Sequence, residues 1–180
     1  MLRKSFWIAA LGLGMSVIPA TSASAQQYLD QGTWELTLSG SGASNRDVNA
    51  GNFGIQGSIG YFVLDQLEVV GRQTISYVDN DNFPGGSTSI AFSSALALDY
   101  HFDLDRWQPF VGAQFGYIYG DDVHDTFIAG PEAGVKYFVN ATTFVFASVE
   151  YQFLFDEGDD ADDAVDDGLF VYGLGIGFKW

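Results

Sequence analysis

The densest group of possible metal ligands lies in a short acidic segment near the C-terminal end of the chain. Residues 156–168 contain eight carboxylates: Asp156, Glu157, Asp159, Asp160, Asp162, Asp163, Asp166 and Asp167. Carboxylate oxygens are the ligands that Ca²⁺ and Mg²⁺ prefer, so this segment is a candidate for weak divalent-cation binding. It lacks the EF-hand order with a bidentate glutamate at the twelfth position, which argues against a defined site. The alternative is a solvated loop whose charges repel one another.

A second set of charged side chains is scattered singly through apolar segments. Its members are Glu35, Glu68, Arg72, Glu132, Lys136 and Glu150. Each occupies the polar phase of a stretch in which apolar residues alternate with small or polar ones, so each is expected on the small-residue face of a β-strand. Acids and bases enclosed together can pair through charge-assisted hydrogen bonds. Such a network could be a structural plug, with each charge neutralised by a neighbour, or a gate on a small conductance.

Several kinds of covalent and cofactor chemistry are excluded. The chain contains no cysteine, which rules out disulfides, thiolate nucleophiles and cysteine-ligated metal sites. Gly173, Gly175 and Gly177 alternate along a strand-like segment with no helix after them, so they do not form a nucleotide-binding signature. No cofactor is expected.

The first 25 residues have the three-part pattern of a secretory signal peptide. Arg3 and Lys4 precede an apolar run, and the segment ends in the small residues Ala23-Ser24-Ala25. We therefore predict a signal peptide at residues 1–25 and one mature domain at residues 26–180. The mature domain keeps five of the seven basic residues and all 23 acidic ones, which gives a formal charge of −18. A domain this acidic is not expected to bind nucleic acid.

Period-two alternation recurs eight times in the mature domain and predicts eight β-strands. Their connections alternate between long segments rich in Gly, Asn, Asp and Ser and tight links. No mature segment has the roughly 20 consecutive apolar residues of a transmembrane helix. An even strand count with long connections at one end and short turns at the other predicts an all-β, eight-stranded antiparallel up-and-down transmembrane β-barrel. The expected strands lie near residues 33–40, 52–63, 67–78, 89–102, 109–119, 127–139, 143–155 and 169–180.

The two faces of these strands differ in a way that indicates which face points outward. In the second strand Phe53, Ile55 and Ile59 alternate with small residues such as Gly54 and Ser58. The small-residue face lacks the abundant charged groups of a soluble surface, whereas small side chains suit the crowded interior of a narrow barrel. Aromatic residues gather toward both strand ends, as in the interface belts of membrane barrels. We therefore expect the apolar face to contact lipid, rather than to line a lipocalin-like or sandwich core.

The last twelve residues, LFVYGLGIGFKW, predict a strand that runs to the C-terminus. An unpaired sheet edge in lipid would leave backbone polar groups without partners, at a cost of several kcal/mol each. We therefore predict that this strand pairs with the first one and closes the sheet. Its apolar face consists of Phe170, Tyr172, Leu174, Ile176, Phe178 and Trp180.

The signal peptide, the eight strands, the alternation of long and short connections and the final Phe178-Lys179-Trp180 resemble the small OmpA/OmpX-type outer-membrane barrels of Gram-negative bacteria. The resemblance is architectural and spans the mature chain. It implies a monomer in the bacterial outer membrane, in contact with lipid and lipopolysaccharide, with periplasmic termini and acidic extracellular loops. It also implies that periplasmic chaperones and the barrel-assembly machinery handle the chain, and that its assembly signal is formed by Tyr172, Leu174, Ile176, Phe178 and Trp180.

Three functions are compatible with this architecture. The first is a non-enzymatic, structural and surface-interaction role; the second is a narrow gated pore, and the third is a lipid A-modifying enzyme. Some eight-stranded outer-membrane barrels act on lipid A, and the deacylases among them use a His-x-Ser arrangement. Here His101 is followed by Phe102-Asp103 and His124 by Asp125-Thr126, so neither histidine fits that pattern. The sequence favours the first function.

If the acidic segment binds divalent cations, bridging it to lipopolysaccharide phosphates, then Ca²⁺ should protect residues 156–168 from proteolysis. Limited digestion of the refolded chain with and without millimolar Ca²⁺ measures this protection. An unchanged cleavage rate would favour the solvated loop instead.

Overall fold

The computed structural model describes residues 29–45, 51–80, 87–120, 125–155 and 168–180. Each described strand pairs antiparallel with the next, and the last pairs with the first to close a barrel. The predicted fold class and the eight predicted strands are confirmed. The predicted signal peptide and the acidic residues 156–167 lie outside the described residues. The strands are β1 (Trp34–Asn45), β2 (Gly51–Leu64), β3 (Leu67–Asn80), β4 (Ser87–His101), β5 (Trp107–Gly120), β6 (Thr126–Phe138), β7 (Thr143–Phe155) and β8 (Leu169–Lys179).

Period-two alternation sorts side chains onto two opposite surfaces of the barrel wall. Large apolar residues face outward, and Leu96 and Leu174 remain 64% and 71% exposed. The lumen face carries small residues such as Ser39 and Ser41 together with the charged residues, and large apolar side chains only in part, as at Phe62 and Phe144. The described residues form no helix that is long and apolar enough to cross a membrane.

Tight turns join the strands at one end of the barrel, which we call the turn end. Gln66 and Asp105 adopt positive φ angles of 67° and 62° in two of these turns, a conformation that lets the chain reverse within a few residues. In the third turn the Asn140 side-chain carbonyl accepts hydrogen bonds from the backbone N–H groups of Thr142 and Thr143. Short turns of this kind fix the register of the flanking strands.

The seam between β1 and β8 extends to the C-terminal residue. Leu36 pairs with Phe178 and Leu38 with Ile176. At the end of the seam, Trp34 and Trp180 exchange backbone hydrogen bonds with N···O distances of 3.0 and 3.1 Å. The predicted closure of the sheet is therefore confirmed, and this seam leaves no exposed sheet edge.

Aromatic side chains pair on the outer surface near both ends of the strands. At the turn end the ring centroids of Trp34 and Tyr61 lie 4.7 Å apart. Toward the opposite end of the strands, which we call the loop end because the longer connections of the sequence join the strands there, the Tyr151 and Phe170 centroids are 4.8 Å apart. This distribution matches the two interfacial belts expected from the sequence.

Glycines on the lumen face make room for large side chains from neighbouring strands. A β-carbon at Gly60 would collide with the Glu68 carboxylate, and one at Gly112 would collide with Asp99. A β-carbon at Gly177 would collide with the ring of Phe144, which is fully buried. The interior of an eight-stranded barrel is narrow, so each large side chain requires a small one beside it.

This packing predicts that two glycine substitutions on opposite faces will differ in effect. Gly177→Ala should lower the free energy of unfolding by about 1–3 kcal/mol, because the new methyl group meets the enclosed Phe144 ring. Gly57→Ala is the control: no atom lies within 4 Å of its β-carbon position, and the change should be neutral or stabilise by up to about 1 kcal/mol. Denaturant unfolding of both variants in detergent, followed by tryptophan fluorescence, measures the difference. Equal stabilities would contradict the packing.

Candidate functional site

The charged side chains of the lumen lie in the middle of the barrel, buried from solvent. The structure brings all six residues of the predicted network together, and two further residues join them. These two are Asp99 and His101, which are 2% and 0% exposed and lie on the lumen face of β4. The eight residues are Glu35, Glu68, Arg72, Asp99, His101, Glu132, Lys136 and Glu150.

The first half of the network surrounds the guanidinium of Arg72. The group makes a bidentate contact with Glu132, in which Nη2 donates to Oε1 at 2.8 Å and Nη1 donates to Oε2. Nη1 also donates to Glu150 Oε1 at 3.1 Å, and Nη2 donates to Asp99 Oδ2 at 3.3 Å. Gln114 donates to Glu150 Oε2 at 2.6 Å. One guanidinium therefore serves three carboxylates.

The second half surrounds the ammonium of Lys136. Its Nζ donates to Glu35 Oε2 and, at 2.9 Å, to Glu68 Oε2. The same Glu68 oxygen lies 2.9 Å from His101 Nε2. The ammonium also lies 5.2 Å from the centroid of the Phe144 ring, close enough for a cation–π interaction.

These contacts cross the lumen rather than following the sheet. Arg72 lies on β3, whereas Glu132 and Glu150 lie on β6 and β7, which do not pair with β3. Lys136 on β6 likewise reaches Glu35 on β1 and Glu68 on β3. The network therefore ties together walls of the barrel that share no backbone hydrogen bonds.

Negative charge exceeds positive charge within this network. Five buried carboxylates face one guanidinium and one ammonium, a formal charge of −3 when His101 is neutral. Among the described residues, three buried atoms of the network have no hydrogen-bond partner: Glu35 Oε1, Asp99 Oδ1 and His101 Nδ1. Buried polar atoms without partners carry a desolvation cost.

An apolar layer lies between the network and the turn end. Phe62, Phe138 and Phe144 pack there against Leu29, and all four side chains are at most 2% exposed. The sequence reasoning did not assign this layer. Phe138 and Phe144 are in phase with Lys136 and Glu150, so strand alternation would have placed them in the lumen. Strand alternation does not predict the position of Leu29, because this residue precedes β1.

Two cavities lie on the other side of this layer. A cavity of about 240 Å³ near the loop end is lined by polar side chains that include Gln56, Thr74 and Gln152. A smaller cavity of about 30 Å³ lies between the Arg72 and Lys136 groups. Gln56 lines both, so the small cavity adjoins the larger one.

The remaining predicted residues lie elsewhere. The five residues of the proposed assembly signal, Tyr172, Leu174, Ile176, Phe178 and Trp180, are exposed on the outer face of the barrel. The eight candidate ligands between Asp156 and Asp167 are outside the described residues. Lys179, on the lumen face of β8, places its Nζ 5.2 Å from the centroid of the Phe138 ring.

Because carboxyl groups outnumber basic groups in the network, replacing a basic residue should reduce the free energy of unfolding more than replacing an acidic one. Arg72→Ala should lower the free energy of unfolding by about 3–5 kcal/mol, because it leaves buried carboxylates without their counter-ion. Asp99→Asn should cost only about 1 kcal/mol or less, because the amide oxygen can still accept from Arg72. Arg106→Ala, in an exposed turn, is the control for losing an arginine. Denaturant unfolding in detergent tests this order, and a larger cost for Asp99→Asn than for Arg72→Ala would contradict it.

The barrel is similar in fold to solved outer-membrane barrels. The N-terminal β-barrel domain of Pseudomonas aeruginosa OprF is 22% identical, with a TM-score of 0.57 over 83% of this chain and 98% of that one. OprG from the same organism is 14% identical, with a TM-score of 0.65 over 86% and 98%. Neisserial surface protein A is 18% identical, with a TM-score of 0.57 over 82% and 94%. The chain matches no protein-family model and no curated protein. These similarities establish the architecture: the chain folds as an eight-stranded β-barrel of the kind found in outer-membrane proteins.

Proposed function

We propose that this protein is a non-enzymatic, integral barrel of a bacterial outer membrane, where it stabilises the membrane and presents its loops at the cell surface. The outer wall supports a location in lipid. Large apolar side chains cover it, and Leu38, Phe53 and Phe115 are each 58–63% exposed. A soluble monomer rarely exposes a contiguous apolar surface of this extent, whereas acyl chains solvate it well.

The observation that carries the structural role is that two successive layers of side chains fill the lumen. The Arg72 and Lys136 groups occupy the middle of the barrel, and the phenylalanine layer with Leu29 fills the space beneath them. Eight strands leave an interior that side chains can fill, so two successive layers of this kind oppose a continuous water column. A sealed barrel contributes a stable outer surface and exposed loops rather than a conduit.

The position of His101 supports a role without catalysis. Its ring is fully buried in the lumen and contacts Glu68, so it is remote from lipid substrates on the outer wall. His124 lies outside the described residues. Incubating the refolded protein with lipopolysaccharide and weighing lipid A by mass spectrometry tests this assignment.

A narrow gated pore is the second candidate, and the multiplicity of partners in the lumen favours it. Arg72 contacts three carboxylates and Lys136 contacts two, so alternative pairings are available within reach of each cation. Exchange among such pairings would open and close a path through the lumen.

Assembly would follow the outer-membrane route. The apolar face of β8 suits recognition by the barrel-assembly machinery, because its side chains lie on the outer surface of the barrel and are exposed. Lipid and lipopolysaccharide would be the permanent surroundings of a monomeric barrel.

Conductance across a planar bilayer distinguishes the sealed barrel from the pore. The refolded wild-type protein should show no discrete conductance steps, and neither should Arg72→Ala or Glu132→Ala, because the phenylalanine layer remains as a second seal. Protease resistance of the same samples serves as the control for folding and insertion. Discrete steps in the wild type that either substitution alters would reject the sealed barrel in favour of the gate.

A further inference from the structure

Two polar side chains lie on the outer wall of the barrel among apolar neighbours. Gln73 on β3 and Ser94 on β4 are cross-strand partners, and both are exposed on the outward face. The outward-facing residues that flank them on these strands include Ile75, Phe92 and Leu96. Polar groups in contact with hydrocarbon are costly, so this pair indicates a role beyond packing against lipid tails.

The two side chains form a ring of hydrogen bonds with the phenol of Tyr119 on β5. Ser94 Oγ donates to Gln73 Oε1 at 2.7 Å. Gln73 Nε2 donates to the Tyr119 hydroxyl at 3.4 Å, and that hydroxyl donates to Ser94 Oγ at 3.3 Å. Each of these oxygens has two lone pairs, so Gln73 Oε1 and Ser94 Oγ can each accept one further hydrogen bond. We call these three residues the polar cluster.

A hollow of about 700 Å³ lies beside the polar cluster on the same wall, and Gln73 and Ser94 also line it. Gly57 and Gly71 face outward in the hollow and present no side chain to the lipid. No atom lies within 4 Å of a β-carbon built at Gly57, so this space is open. A volume of this size is within the range of about 300–1,000 Å³ that is typical of small-molecule sites.

Strand register gives the hollow an elongated shape. The edge nearest the turn end follows one row of directly paired residues on five successive strands: Leu36, Ile59, Gly71, Leu96 and Phe115. Neighbouring strands are about 4.8 Å apart, so this row is roughly 19 Å long. Leu36 lies close to the turn-end start of β1 at Trp34, whereas Phe115 lies well inside β5, which begins at Trp107. The hollow therefore runs obliquely from the turn side toward the loop end.

The dimensions of the hollow favour an acyl chain over a second copy of this barrel. The hydrocarbon core of a bilayer is about 30 Å thick, so the chain of one leaflet is roughly 15 Å long and fits lengthwise. A stable protein interface buries about 800 Å² on each partner. The hollow is two residue rows wide, roughly 14 Å, and so covers only about 270 Å².

The polar cluster lies on the side of the hollow that faces the loop end. Tyr119 stacks on Phe92 in the aromatic belt at that end, with ring centroids 5.8 Å apart. A lipid with its headgroup at this interface would place the first carbons of a chain beside the polar cluster and the remainder along the apolar row. Arg72 also borders the hollow, but its guanidinium is held in the lumen by Glu132. The ligand group beside the cluster is therefore expected to be uncharged.

We propose that this hollow binds one hydroxylated acyl chain of lipopolysaccharide, whose hydroxyl donates to Gln73 Oε1 or Ser94 Oγ while the hydrocarbon lies over Gly57 and Gly71. A hydroxyl can use the free lone pairs of the polar cluster, whereas an ester carbonyl has no hydrogen to donate. The proposal rests on the proposed location in an outer membrane, with the loop end at the cell surface.

Two synthetic lipids that differ by one hydroxyl are suitable probes for the refolded full chain. Both are glucosamine phosphates, one with an N-linked 3-hydroxymyristoyl chain and the other with an N-linked myristoyl chain. Native mass spectrometry from detergent should show one hydroxylated lipid retained per barrel. Its affinity should exceed that of the other lipid about five- to tenfold, as expected for one additional hydrogen bond.

Variants locate the lipid. Gln73→Leu should abolish the preference for the hydroxylated lipid and leave the affinity for the other lipid unchanged. Gly57→Leu should weaken binding of both lipids at least about tenfold, because the new side chain fills the hollow. Ala133→Leu adds the same kind of side chain on the outer wall of β6, beside the exposed Val111, and should bind like the wild type. Circular dichroism and protease resistance verify the fold of each variant.

Three results would overturn the proposal. The first is equal affinity of the wild type for both lipids, and the second is an unchanged preference in folded Gln73→Leu. The third is a dimer that Gly57→Leu abolishes, which would assign the hollow to a second copy of the chain.

Insertion into vesicles of phosphatidylethanolamine and phosphatidylglycerol separates this proposal from the proposed function. A barrel that inserts but shows no preference between the lipids would reject the lipid site alone. A barrel that does not insert would contradict the membrane location and the lipid site together.

Discussion

Pairing of every backbone polar group within one closed sheet is the constraint on which the rest of this structure depends. In lipid, N–H and C=O groups have no water to bond with, so the sheet must close on itself. The hydrogen bonds between Trp34 and Trp180 complete that closure at the last residue of the chain. Closure with eight strands also sets a narrow lumen, and this width decides which side chains can occupy it. Some of the lumen-facing glycines are one consequence, since Gly60 lies beside Glu68 and Gly177 beside Phe144.

The narrow lumen forces charged side chains from opposite walls into contact. Arg72 and Lys136 each cross the axis to reach carboxylates on strands that their own strand does not pair with. The resulting ties supplement the backbone ladder, because they join walls that would otherwise be connected only through the circumference. The same confinement excludes most solvent. A charge without a counter-ion therefore costs more free energy here than it would at the protein surface.

Strand positions and faces were predictable because their signal is local. A period of two assigns each residue to a face without knowledge of its partners, and this rule placed Arg72, Glu132 and Lys136 in the lumen. The partners themselves were not predictable, because the contact between Arg72 and Glu132 depends on stagger and curvature around the whole barrel. Leu29 was missed since it precedes the first strand and has no alternation to read. The grouping of Asp99 with His101 and Glu68 required the register of one hairpin.

The contrast between the two lumen layers bears on why the charges are there at all. Phe62, Phe138 and Phe144 show that this barrel can be filled by apolar rings without buried charge. Replacing buried ion pairs by well-packed apolar groups is often neutral or stabilising, so stability alone is a weak reason for a layer of five carboxylates. The layer has five carboxyl groups for two basic ones, so its contacts are shared rather than arranged as separate one-to-one pairs. The charged layer also determines which strands meet across the lumen, since Arg72 and Lys136 each contact carboxylates on strands that do not pair with their own.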